Sequence, residues 1–264
     1  MKIYILTDLE GVGGVVHDQQ TGPGSPLYQE ARHLLTQEVN AAIEGALAGG
    51  ATEILVRDGH GANGGYNFIF EDLHEAAEYV MGSPQDSYLN ELDETFDGVF
   101  QIGAHPMAGT RHGVLEHTQS SQAWEEMRVN GRPMSEMGFI AAIAGELGVP
   151  TLLVSGDQAV CDEARELMGP EVEVVATKIG LSRNCARMKA PGPIRKLIRE
   201  RARAAMAKVG KVKPLDIGRP VEIVLRFKHV SLADGLKCAG KRRLDARTIA
   251  VRGSTCREAF DNLS

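Results

Sequence analysis

The 264-residue sequence predicts an α/β protein: a mainly parallel central sheet flanked by helices, with a smaller C-terminal α+β unit. Two observations carry this. Short apolar runs of strand length alternate with stretches whose apolar residues recur at helical spacing, the pattern of repeated βα units. Three of the runs also end alike, in glycine beside Asp, Glu or His: Asp8-Leu9-Glu10-Gly11, Asp58-Gly59-His60-Gly61 and Gly103-Ala104-His105. Ligands of open α/β sheets bind beyond the carboxyl ends of the strands. The repetition therefore marks one functional edge.

Ile3 to Leu6 is the first buried strand, and a Gly- and Pro-bearing loop, Gly11 to Pro26, follows it. A helix is expected from Tyr28 to Ala48, closed by Gly49-Gly50 as a C-cap signal. Glu53 to Arg57 and Gly98 to Ile102 are the next strands. Val114 to Val129 reads as strand or hairpin, with Asn130-Gly131 as a turn of the type that hairpins favour. Ser135 to Leu147 is expected as helix, Thr151 to Val154 as strand, Gln158 to Met168 as helix and Val172 to Ala176 as strand. Ile194, Leu197, Ile198, Ala202, Ala205, Met206 and Val209 fall at the spacing of an amphipathic helix with a solvated basic face. Lys211 to Pro220 resembles a linker, and Val221 to Phe227 and Thr248 to Val251 are strands of the smaller unit. Residues 1–210 are thus expected to form a metal-binding catalytic domain, with 211–264 packed on it as a smaller unit.

Composition narrows the class. With 43% hydrophobic and 24% charged residues the chain is ordinary for a globular protein. A formal charge of -6 gives no general attraction to nucleic acid. No apolar stretch reaches membrane-spanning length. Met1-Lys2-Ile3 runs directly into the first strand, so no signal peptide is expected. Cys161, Cys185, Cys238 and Cys256 are scattered, without a CxxC pair. Structural thiols in a reducing cytoplasm are the simplest reading.

Chemistry is concentrated at the strand ends. Asp8 and Glu10 are alternate residues of an extended chain and so point toward one object. With no Lys or Arg nearby in sequence, two hard oxygen donors suit a metal ion. His60 and His105 shift the choice: carboxylate with imidazole suits zinc, manganese or iron better than magnesium or calcium, and zinc is the default for hydrolysis without redox chemistry. Such a mixed set can hold two ions with one bridging carboxylate. Singly, each residue has a plainer reading: Asp8 as a cap, Asp58-Gly59 as a turn, His60 as a surface residue, His105 as a packed histidine. Their joint occurrence is the signal. His17, His33, His74 and His229 lack a comparable setting.

The ordered set Thr7-Asp8-Leu9-Glu10-Gly11, Arg57-Asp58-Gly59-His60, Ile102-Gly103-Ala104-His105, Gly113-Val114-Leu115-Glu116-His117-Thr118 and Asn130-Gly131-Arg132-Pro133-Met134-Ser135-Glu136-Met137-Gly138 resembles the DppA-type D-aminopeptidases, a bacterial family of binuclear zinc metallopeptidases. The likeness continues through Val149 to Asp157, Lys178 to Ser182 and Val212 to Leu215. It implies metal ligands at Asp8, Glu10, His60, His105 and Glu136, with Asp8 bridging two zinc ions per subunit. From sequence alone Glu136 is an ordinary acidic residue in the first turn of a helix. The resemblance also implies His117 as the catalytic residue, described in the family as a nucleophile. Chemistry alone gives it the role of general base or of donor to an oxyanion. His112 is a neighbouring rival. The family further implies release of N-terminal D-amino acids from small peptides and a ring-like homodecamer with an internal chamber.

The sequence departs from the family pattern at Glu116, where a small polar residue is expected. A carboxylate there would raise the pKa of His117 if the side chains met, or alter substrate choice. Two other functions compete. Strand-Asp-x-Asp-Gly is the opening motif of haloacid-dehalogenase phosphatases, although here the second acid is Glu10 and that mechanism gives His60 and His105 no role. A metal-stabilised binding protein without turnover is the third reading.

Overall fold

A computed structural model describes residues 1–84, 88–236 and 240–263. In chain order the elements are β1 (Lys2–Thr7), α1 (Pro26–Ala48), β2 (Glu53–Asp58), β3 (Glu78–Val80), β4 (Gly98–Ala104), β5 (Trp124–Val129) and β6 (Arg132–Pro133). There follow α2 (Glu136–Glu146), β7 (Thr151–Asp157), α3 (Gln158–Met168), β8 (Glu173–Ser182), β9 (Cys185–Met188) and α4 (Pro191–Met206). The chain ends with β10 (Val221–Phe227), α5 (Val230–Asp234), β11 (Arg242–Arg243), β12 (Thr248–Gly253) and α6 (Cys256–Asp261).

The first sheet has seven strands in the order β3-β2-β1-β4-β7-β8-β9. Every neighbour pair is parallel except β8 with β9. After β1 the chain pairs β2 on one side and later β4 on the other, so strand order reverses beside β1. That reversal opens the crevice where such sheets bind ligands. The second sheet is antiparallel, in the order β11-β12-β10-β5-β6. Residues 211–264 supply three of its strands, and residues 124–133 complete it.

The period-two side-chain alternation of β1 explains how one strand serves two cores. Ile3 and Ile5 pack with Leu35, Val39 and Ile43 of α1 and with Ile198 of α4. Tyr4 and Leu6 face the opposite way, into a core shared with Phe139 and Ile143 of α2 and Ile223 and Leu225 of β10. The central sheet is therefore covered on both faces, as parallel sheets require. Helix α4 lays its apolar stripe on α1 and leaves its basic face to exposed ion pairs such as Arg201 with Glu173 and Arg199 with Glu44.

Most expected elements form, with informative exceptions. Of the stretch Val114 to Val129, only Trp124–Val129 is strand. The first part is a looped segment in which Leu115 and Gln119, like His112 just before it, take left-handed φ of 52°, 58° and 62°, which extended pairing cannot use. Strand β8 runs on to Ser182 and turns into β9, a hairpin without a Gly or Pro signal. Cys161 and Cys256 are buried and unpaired and Cys185 is exposed and unpaired, while Cys238 lies outside the described residues. Among the described residues no helix is long and apolar enough to cross a membrane.

Candidate metal centre

Three strand ends and one helix start deliver the site. At the end of β1, Asp8 keeps the ladder by donating its N–H to Ile102 O at 2.8 Å, and Gly11 donates to Gly103 O at 2.7 Å. The two backbones approach so closely that a Cβ on Gly11 would lie 2.1 Å from Ala104 O. Gly103 has φ +82°, and a Cβ there would lie 2.1 Å from Asp8 O. Only glycine fits either position, which is why the acidic and histidine motifs carry glycines.

His60 follows β2. Asp58 accepts from Asn67 N at 2.5 Å and from Asn67 Nδ2 at 3.0 Å, Asn67 Nδ2 also donates to His60 O at 2.8 Å, and Tyr28 OH donates to Asn67 Oδ1 at 2.5 Å. This buried network fixes the turn that presents His60, so Asp58 is a support and faces away from the cluster's centre. Glu136 opens α2, which Ser135 caps through Gly138 N at 3.1 Å; its Oε2 accepts from Gln119 N at 2.9 Å.

The side chains of Asp8, Glu10, His60, His105, His117 and Glu136 converge. His60 Nδ1 lies 2.9 Å from Asp8 Oδ1 and 3.2 Å from Glu10 Oε2. His105 Nε2 lies 3.3 Å from Asp8 Oδ2 and 3.5 Å from Glu136 Oε2. One oxygen of Asp8 thus belongs to each of two groups. Candidate ligand atoms of Asp8, Glu10 and His60 lie within 4.8 Å of one another, as do those of His105, His117 and Glu136.

The donor set fits divalent metal. His60 Nε2 meets Thr21 O at 2.7 Å and His105 Nδ1 meets Pro106 O at 3.1 Å. A carbonyl oxygen only accepts, so these contacts assign a proton to those nitrogens. The other nitrogen of each ring then faces two carboxylates, an arrangement that needs either a second proton or a cation. Backbone carbonyls that orient ligating imidazoles in this way are the usual outer shell of metal sites. Glu10 Oε2 is buried without a well-directed hydrogen bond, although His60 Nδ1 is near it.

Electrostatics without the metal report the same demand. Burial would lower the His105 pKa, but its hydrogen bond with Glu136 and the charges of Asp8 and Glu136 push it up to about 10. His60 is likewise lifted well above the ordinary 6.5: the Glu10 charge and bonds to Asp8 and Glu10 outweigh burial. Burial, reinforced by the charge of Glu10, raises Asp8 to about 7, with His60 and His105 opposing. Glu10 is held well below its usual value because His60 outweighs burial. Without a metal, protons on the two imidazoles would meet the demand for positive charge that divalent cations otherwise meet.

His117 is different. Its ring stacks on His105 with centroids 3.7 Å apart and planes 16° apart, and its Nδ1 donates to Leu115 O at 2.9 Å. Burial and the neighbouring His105 charge lower its pKa below 6.5. The shift favours the neutral ring, whose Nε2 is then an acceptor. Glu116 does not raise it: that carboxylate accepts from Gly109 N at 2.6 Å and lies 3.8 Å from Arg183 Nε. His112 is exposed and bonds Leu181 O at 3.1 Å, away from the cluster. His117, Trp124, Arg183 and Lys228 line a cavity of about 250 Å³.

A parallel α/β sheet whose strand ends converge carboxylates and imidazoles on one shared aspartate, beside a neutral histidine at a cavity wall, is the arrangement of a metallo-aminopeptidase. The chain belongs to the D-aminopeptidase family, whose model matches residues 1–264. It is 35% identical over 216 residues to the D-aminopeptidase of Bacillus subtilis (strain 168), covering 81% of this chain and 77% of that one. Its fold is similar to that of the Zn-dependent D-aminopeptidase DppA from Bacillus subtilis, a self-compartmentalizing protease, with a TM-score of 0.92 and 30% identity over 99% of this chain and 95% of that one.

Asn67 and Gln119 are supports that sequence reasoning missed. Each acts through a long-range contact and stands in no motif.

Proposed function

We propose that this protein is a zinc-dependent hydrolase that releases N-terminal D-amino acids from short peptides. Asp8, Glu10 and His60 would hold one zinc ion, and Asp8, His105 and Glu136 a second, Asp8 being common to both sets. The observation that carries this reading is the division of the Asp8 oxygens between the two groups, 2.9 Å from His60 and 3.3 Å from His105. Two zinc ions in such a set supply Lewis acidity and acidify a water.

His117 is the catalytic residue. With its Nδ1 proton committed to Leu115 O and its pKa lowered by burial and the His105 charge, it offers Nε2 as an acceptor. That favours general base or nucleophile over oxyanion donor. As base, Nε2 takes the proton of the attacking water and returns it to the amine that leaves. The cavity beside His117 receives the peptide. The site does not favour the phosphatase reading, because His60 and His105 stand among the carboxylates. Nor does it favour a binding protein without turnover, because His117 faces the cavity with a free acceptor.

The self-compartmentalizing character of the neighbour supports a homo-oligomer here, and we extend this to the ring-like decamer with an internal chamber. Cys161, Cys185 and Cys256, unpaired among the described residues, support a cytoplasmic location. All six site residues fall within 1–210, which supports that segment as the catalytic unit; 211–264 is the smaller unit packed on it, its sheet completed by residues 124–133. Hydrolysis of D-alanyl against L-alanyl dipeptides by the zinc-loaded protein tests the activity. Release of the D-residue alone is expected, and equal cleavage of both or of neither would overturn it. Light scattering of the purified protein tests the assembly, with a ten-chain mass expected and a monomer contradicting it.

A further inference from the structure

The turn that follows the metal-facing carboxylates closes on a buried ammonium. Lys178, on β8, is 1% exposed. Its Nζ donates to the carbonyl of Glu10, to Val12 O at 2.8 Å and to Val15 O at 2.5 Å. An ammonium has three protons, and each has a carbonyl. Thr177 beside it donates Oγ1 to Gly11 O at 2.6 Å, and Glu38 of α1 accepts from Gly13 N at 2.8 Å. Segment 10–15 is thereby tied to β8 and α1, elements distant in sequence.

Three carbonyl dipoles aimed at one point repel each other unless a cation sits between them. Without the ammonium, three buried acceptors would be left unmade, and the chain could satisfy them only by turning those peptide planes outward. The first of those planes belongs to Glu10. Among the described residues the Glu10 side chain meets the ring of His60, 3.2 Å from Oε2, but Oε2 lacks a well-directed hydrogen bond. Its aim therefore depends on its main chain.

We propose that Lys178 is a positioning residue of the metal centre: by clamping the carbonyls of Glu10, Val12 and Val15 it sets the direction in which the Glu10 carboxylate faces Asp8 and His60. This rests on the zinc reading above. Lys178 does not touch the reacting atoms.

The test compares the unaltered protein with Lys178→Met, which keeps the hydrocarbon stem, and Lys178→Gln, which keeps one donor. Leu225→Ala, in the other core, serves as a control for lost stability. Zinc affinity is read by competition with a chromophoric chelator, beside kcat, KM and Tm. Expected is at least tenfold weaker binding of one of two zinc ions in Lys178→Met, a smaller loss in Lys178→Gln, and a fall in kcat with little change in KM. Leu225→Ala should lower Tm and leave zinc affinity unchanged. Unchanged zinc affinity in Lys178→Met would overturn the proposal, as would equal losses in Leu225→Ala. Failure of both Lys178 variants to fold while Leu225→Ala folds would assign Lys178 to core stability instead. Absence of zinc binding by the unaltered protein is a separate result, and it would overturn the reading on which this one rests.

Discussion

His105 and His117 lie face to face, ring centroids 3.7 Å apart and planes inclined by 16°. Positive charge on one makes charge on the other costly, and this stacking joins burial in keeping His117 neutral. The pair thus divides labour: His105 turns Nε2 toward carboxylates, and His117 keeps a free nitrogen beside the cavity.

His117→Ala should lower kcat by about 10²–10⁴-fold, the range for loss of a general acid–base group, while bound zinc stays at the unaltered level. Turnover assays paired with metal analysis check this. Unchanged turnover at full metal content would remove His117 from the mechanism.

The pH profile follows with a definite sign. A base must be unprotonated to act, and burial with the His105 charge lowers the His117 pKa below 6.5. The acid limb of kcat/KM should therefore fall below the ordinary histidine value of 6.5. A limb well above that value would show the opposite environment.

Asn67→Ala should weaken zinc binding by about 10–100-fold, the usual effect of losing an outer-shell support, because Asn67 ties Asp58 to the turn of His60. Equilibrium dialysis against a zinc buffer measures it. An affinity equal to that of the unaltered protein would mean that His60 needs no such support.

Glu38 links stability to pH through a group that is not itself a proposed ligand. Burial raises its pKa from 4.5 to about 8, against its bond from Gly13 N and the charges of Lys178 and Arg195. The folded state thus binds a proton that the unfolded state releases between pH 4.5 and about 8. The stabilisation is full below 4.5 and is lost as pH rises through about 8. Glu38→Gln should flatten this slope, worth at most about 5 kcal/mol at 1.36 kcal/mol per pKa unit. Urea unfolding at pH 5 and pH 8.5 checks it, and parallel slopes in both proteins would contradict it.

The frame of the fold was legible because its signals are local. Hydrophobic runs such as Ile3 to Leu6 and Val221 to Phe227 announce strands, and the Gly-Asp-His clusters mark where they end. The segment Val114 to Ala123 was not legible, since Leu115 and Gln119 take left-handed backbone with no glycine to signal it. Asp8, Glu10, His60 and His105 stand out because strand ends and glycines accompany them. Glu136 does not, because its place in the cluster depends on where α2 packs, and family resemblance alone named it. The roles of Asn67 and of Lys178, which the likeness included without a role, are invisible for a related reason: they lie in contacts with Asp58 nine positions away and with Glu10 168 positions away.

The central claim is that Asp8 bridges two zinc ions. Diffraction from zinc-loaded crystals, with data above and below the zinc absorption edge, tests it directly. The expected map has two anomalous peaks per chain, one on each side of the Asp8 carboxylate, the first shared with Glu10 and His60 and the second with His105 and Glu136. A single peak, or two peaks that leave Asp8 uncoordinated, would contradict it.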